Sequence, residues 1–178
     1  MKKTQCEIKG LTPLVMDRLD IEDIIKPKQV KKYTEEVLQA MAEHAVYRNG
    51  NGLYIPNRNL KKCIWEGSKI GRLRLIGRQS LAPFIEASVF IEPREIPFGK
   101  KEPDGFIQFP MRRKDGNVIP KRLPILTDWN LCFTLLIYDA EIVDKVKEAL
   151  VTAGFAVGLG NQRPEYGRFE VLKWEVRK

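Results

Sequence analysis

The chain has 178 residues, 43% of them hydrophobic, enough to bury a core and too few for two independent domains. Lys and Arg number 31 against 23 Asp and Glu, a formal net charge of +8 with a pI near 9.4, which favours a polyanionic partner such as nucleic acid over an acidic small molecule. No stretch approaches the roughly 18–20 apolar residues of a membrane span, and the opening MKKTQCEIKGL lacks the apolar run of a signal peptide, so a cytoplasmic protein without a membrane partner is expected.

Residues 3–9 alternate around Cys6 and Ile8, as a short strand does, and Gly10 ends it. Asp17, Asp20, Glu22 and Asp23 then cluster ahead of Pro27. Converging carboxylates suit a metal or a general base, whereas acids ahead of a helix suit its N-terminal dipole, and both readings stand at this point. From Lys28 to Tyr47 the stripe Val30, Tyr33, Val37, Met41 and Ala45 predicts an amphipathic helix, with the single histidine, His44, near its end.

Leu53-Tyr54-Ile55-Pro56 is a short extended piece leading into Asn57, a candidate cap for a helix over 58–69 that turns Leu60, Cys63 and Ile64 inward. Arg58, Lys61, Lys62 and Lys69 lie on its other faces, so side chains and helix dipole act together on a nearby phosphate. Residues 86–92 predict a second strand stopped by Pro93.

Between 94 and 122, the Asp115-Gly116 turn predicts a hairpin arm on which Arg112, Arg113, Lys114, Lys121 and Arg122 alternate with Phe106, Phe109 and Met111. Such a ribbon suits single-stranded nucleic acid, and equally a charged edge that prevents sheet aggregation. Residues 130–138 form the most apolar run and predict a central strand buried on both faces. Asp139 caps a helix to Gly154, and residues 168–176 close the chain as a strand. The three-residue step from Val171 to Trp174 requires either a bulge near Lys173 or a second buried face. Cys6, Cys63 and Cys132 show neither zinc nor redox spacing and are expected to be reduced core residues. No metal and no cofactor is expected.

The loop 154–168 is punctuated by Gly158, Gly160 and Gly167, with Arg163 and Arg168. Glycines let successive amides line an anion-binding nest and arginine forks suit phosphate, but a tight turn needs glycines as well. The order strand, helix, strand, strand, helix, strand predicts an α+β, ferredoxin-like or RRM-like βαββαβ core in a single domain 1–178. A helical insert at about 11–52 and a hairpin insert at about 93–124 interrupt it. The aromatic signature of the standard RNA recognition motif is absent, so stacking on the sheet face is not expected.

Two stretches carry a family resemblance. Leu53-Tyr54-Ile55-Pro56-Asn57-Arg58-Asn59-Leu60-Lys61 resembles the Y-I-P-G-S-S-L-K-G lead-in to the first helix of the RAMP superfamily, the CRISPR-associated proteins that include crRNA-binding backbone subunits. Gly158-Leu159-Gly160 with Tyr166-Gly167-Arg168-Phe169-Glu170-Val171 resembles that superfamily's C-terminal glycine-rich loop. The resemblance implies a palm with a thumb-like hairpin that binds single-stranded guide RNA, such as crRNA, through its phosphates. Its partners would be RNA and other copies of itself or related subunits. It places Asn57, Arg58, Lys61 and Lys62, with Gly158, Gly160, Arg163, Tyr166, Gly167 and Arg168, on the RNA. Where some family members carry an RNA-cutting aspartate shortly before Tyr-Ile-Pro, this chain has Glu43, His44 and Ala45. Two alternatives stand beside RNA binding: a metal-dependent endoribonuclease using Asp17, Asp20 or Asp23 with His44, and an assembly protein gripping a protein partner with its basic hairpin.

Overall fold

The computed structural model describes residues 1–18, 32–75, 78–112 and 116–177. In chain order its elements are β1 (Lys2–Gly10), β2 (Leu14–Val15), α1 (Glu35–His44), β3 (Arg48–Asn49), β4 (Gly52–Pro56), α2 (Asn57–Ile70), α3 (Ala82–Ser88) and β5 (Val89–Glu92). They continue as β6 (Glu95–Pro97), β7 (Gly105–Arg112), β8 (Val118–Leu126), β9 (Asn130–Ile137), a 3-10 turn (Ala140–Ile142), α4 (Val143–Ala156) and β10 (Phe169–Arg177).

The scaffold is an antiparallel sheet in the order β10-β1-β9-β5. The crossover from β1 through α2 to β5 spans β9, and that from β9 through α4 to β10 spans β1. This split arrangement is the ferredoxin-like, RRM-like topology. Both helices cover one face. There Cys6 and Ile8 of β1, Leu131, Phe133 and Leu135 of β9, and Phe169 of β10 meet Leu60 and Ile64 of α2 and Val146 and Leu150 of α4 in one buried cluster. The other face carries Lys3, Gln5, Lys9, Asn130 and Cys132.

A second small sheet, β2-β8-β7, contains the hairpin, and a third, β3-β4-β6, leads into α2. Met111 pairs with Ile119 and Arg112 with Val118, so the expected hairpin forms. Trp129 joins the three sheets. It is 2% exposed, follows β8, and sets its ring edge-on to Phe98 after β6 and to Phe169 of β10, both with centroids 6.3 Å away.

Several expectations are corrected. Residues 86–88 belong to α3, whose first turn holds Pro83, and the strand begins only at Val89. Within the described residues α1 starts at Glu35, because Thr34 Oγ1 accepts from Val37 N at 3.4 Å. That start turns Leu38 and Ala42 inward and leaves Val37 and Met41 half-buried. β9 is central but alternates, because helices cover one face alone: Cys132 is exposed and is not a core residue. Cys6 and Cys63 are buried, and burial pushes each thiol up to about 12. The parity break in β10 is a bulge. Glu7 pairs with Lys173 and Ile8 with Val171, leaving Leu172 as the extra residue, 53% exposed.

Candidate nucleic-acid interface

β4 runs straight into α2. Pro56 occupies the cap position with no side-chain cap, and Asn57 is the first helical residue. The expected Asn57 cap is therefore corrected. Its amide N donates to Arg94 O at 2.8 Å and its Nδ2 to Ile91 O at 2.6 Å, fastening the helix start to the β5 edge. Arg58 and Lys62 are exposed and, at a spacing of four, share one row of the helix surface. Lys61 is half-buried: its Nζ donates to Glu86 O at 2.8 Å and stands 4.7 Å above the Phe90 ring. Burial pulls its ammonium below the ordinary lysine range, with the Glu86 charge opposing. Asn57, Arg58, Lys61 and Arg94 line a groove of about 690 Å³.

The glycine loop packs against the same helix further along. Cys63 Sγ donates to Gly158 O at 3.1 Å, and Arg163 Nη1 donates to Glu66 Oε2 at 2.8 Å. Glu66 is the next member of the Arg58–Lys62 row, so the row ends in an ion pair. It was missed by sequence reasoning, although it is the single acid within Asn57–Ile70. The loop, Glu66 and Ile70 line a second groove of about 500 Å³.

The loop's own amides are largely spent on the chain. Gly158 N donates to Ala153 O, Leu159 N to Gly167 O, Asn161 N to Val15 O, Tyr166 N to Gln162 O, and Gly167 N to Pro13 O. Arg168 N donates to Thr12 Oγ1 at 2.9 Å. Gly158, Gly160 and Gly167 do adopt positive φ, at 79°, 85° and 75°, as their glycine identity predicts. What they build is a strap docked on β2, and the expected nest of outward amides is corrected at Gly158 and Gly167, whose N–H groups are bonded within the chain. Gly167 is buried, and Tyr166 is half-buried edge-on to Phe109 of β7 at 5.7 Å. Among the loop's charged groups, Arg168 is exposed and Arg163 is shared with Glu66.

The hairpin turns much of its basic and aromatic sequence inward. Phe109 and Ile107 pack on Val15, Ala45 and Leu123. Lys121 Nζ donates to both oxygens of Asp17 at 2.7 Å, and Arg122 grips Glu35, holding that carboxyl below its ordinary range. Arg112 is exposed at the far end of β7. Arg113, Asp20 and Asp23 lie outside the described residues. His44 stands exposed in the last turn of α1.

Asp17 is thus a fastening. It also accepts from Asn161 Nδ2 at 2.8 Å, tying hairpin, β2 segment and glycine loop together. Its side chain is 10% exposed, so removing it strands a cation and an amide with little access to water. Asp17→Ala is expected to cost about 2–3 kcal/mol in urea unfolding, and Asp17→Asn, which keeps one acceptor, about 1 kcal/mol. An alanine variant with the wild-type midpoint would contradict the fastening role.

No helix among the described residues is long and apolar enough to cross a membrane. No protein-family model matches the chain, and no curated protein matches it in sequence. In fold it is similar to a chain in the cryo-EM structure of the Type III-B Cmr-beta bound to cognate target RNA. The TM-score is 0.53 at 16% sequence identity, over 99% of this chain and 61% of that one. This chain therefore spans less than two thirds of the length of its structural neighbour. That likeness and the strand order agree: the chain has an α+β, ferredoxin-like and RRM-like fold, with α1 placed before its first scaffold helix and a hairpin between its middle strands.

Proposed function

We propose that the chain is a RAMP-like protein that holds single-stranded, guide-type RNA by its phosphate backbone, as a repeated subunit of a ribonucleoprotein. One observation carries the reading. The two stretches that resemble the RAMP superfamily, far apart in sequence, meet on α2: the first begins the helix, and the second docks on its Cys63 and Glu66. Between them run the exposed Arg58 and Lys62, with Lys61 at the groove; Arg168 is exposed at the end of the glycine loop, beside Thr12. Cations in a row along a rigid helix match phosphates in a row along a strand, and such contacts position RNA without reading its sequence. That the structural neighbour is a chain of a Cmr-beta structure bound to cognate target RNA supports the same class of partner.

The test is fluorescence anisotropy with a labelled single-stranded RNA across a salt series. Arg58→Glu combined with Lys62→Glu is expected to weaken binding about a hundredfold near 0.1 M salt, as two charge-assisted contacts are lost. The slope of log K against log salt is expected to fall by roughly 1.4. Arg168→Ala is expected to act in the same direction, more weakly. Unchanged affinity in the double variant would remove α2 as the RNA site.

A further inference from the structure

Phe90 and Tyr138 are 46% and 58% exposed, yet they touch: their centroids are 5.6 Å apart at an interplanar angle of 77°. Phe90 points outward from β5 because Val89 and Ile91 on either side point into the core, and it pairs across the sheet with Leu136 of β9. Tyr138 follows β9, with its amide donating to Ser88 O at 2.9 Å. The backbone of both residues is therefore held by pairing at the sheet edge. Single exposed apolar residues need no explanation. Here two aromatic rings side by side form one wall of the 690 Å³ groove whose other wall carries Arg58, Lys61 and Arg94, with Glu92 as the acid at its rim.

An occupant must satisfy both walls: a flat apolar body for the rings and negative charge for the three cations. An edge-to-face pair leaves a ring face open to a third flat group. A nucleotide joins these two features at a fixed short distance. Lys61 is already drawn over the Phe90 face, so the cation and the aromatic wall sit close enough to hold one residue of a strand.

We propose that Phe90 and Tyr138 form a stacking site for one unpaired base of the bound RNA, with Arg58, Lys61 and Arg94 taking its phosphates. This rests on the RNA-binding reading above and adds to it a contact with a base, at a place on the sheet edge for which the sequence predicted none. Stacking tolerates any base, so the site adds affinity without choosing a sequence.

The test compares an oligouridylate with the same oligomer carrying abasic ribose throughout, in titrations of the full chain. Wild type is expected to prefer the oligouridylate by about tenfold, the worth of one stacked base. Phe90→Leu and Tyr138→Leu are each expected to abolish that preference, weakening the oligouridylate about tenfold and the abasic oligomer much less, and Tyr138→Trp to retain it. Arg58→Ala is expected to weaken both oligomers alike. If the leucine variants keep the preference while Arg58→Ala weakens binding, the stacking site is overturned and the phosphate reading survives. Equal loss on both oligomers in the leucine variants also overturns it. Wild type binding neither oligomer overturns both readings.

Discussion

A Gly167→Ala variant is expected to be about 4 kcal/mol less stable than wild type and to melt roughly 10–15 °C lower by circular dichroism. Gly167 has φ +75°, where an alanine Cβ costs about 1–2 kcal/mol on its own. That Cβ would also stand 1.7 Å from the Leu159 carbonyl oxygen, which is backbone and cannot rotate away. The strap must then open. Opening breaks the bonds from Leu159 N to Gly167 O and from Gly167 N to Pro13 O, both 2.8 Å, at about 1 kcal/mol or more each. Because the strap holds Arg163 against Glu66, the RNA-binding reading proposed above expects affinity for single-stranded RNA to fall along with stability. A melting temperature within a few degrees of wild type would mean that the loop has a second, equally good conformation.

Trp129→Ala is expected to cost about 3–5 kcal/mol, read from the urea midpoint, while Trp129→Phe should keep more than half of that. The indole fills the junction of the three sheets, and its Nε1 donates to Thr12 O at 3.0 Å. Gly10 shows how close the fit is: a Cβ there would lie 2.3 Å from Nε1. No single neighbour can collapse into the space, because Phe98, Phe169 and the end of β1 each belong to a different part of the chain. A loss below about 1.5 kcal/mol would show that the junction is looser than its packing implies.

Much of the scaffold was legible in the sequence because its signals are local. Cys6 and Ile8 alternate, Asp115-Gly116 marks a hairpin turn, and the glycines of the strap announce positive φ. The one-sided burial of β9 was masked because Cys132 and Leu136 fill two of its four outer positions with apolar residues, leaving Asn130 and Thr134 as its polar marks. Helix α3 is short and carries Pro83, so its periodicity could not be separated from that of the strand it precedes. At the candidate site the chemistry-bearing residue types were visible, but their partners were not. Lys121 with Asp17 and Arg163 with Glu66 are pairs made by tertiary folding, and no spacing rule links positions so far apart.

The bulge at Leu172 has a consequence for how this fold varies in length. Removing that residue in thought turns the strand into an unbroken alternation, with Phe169, Val171 and Trp174 all on the buried parity and Lys173 taking the outward place. Leu172 is thus equivalent to a one-residue insertion already accommodated. It sits on an edge strand, where an extra residue disturbs a single ladder, whereas in β1 or β9 it would shift two at once. When distant sequences are superposed on this chain, a gap opposite Leu172 keeps every core position of β10 aligned, whereas a gap placed after Trp174 puts Lys173 where the tryptophan belongs.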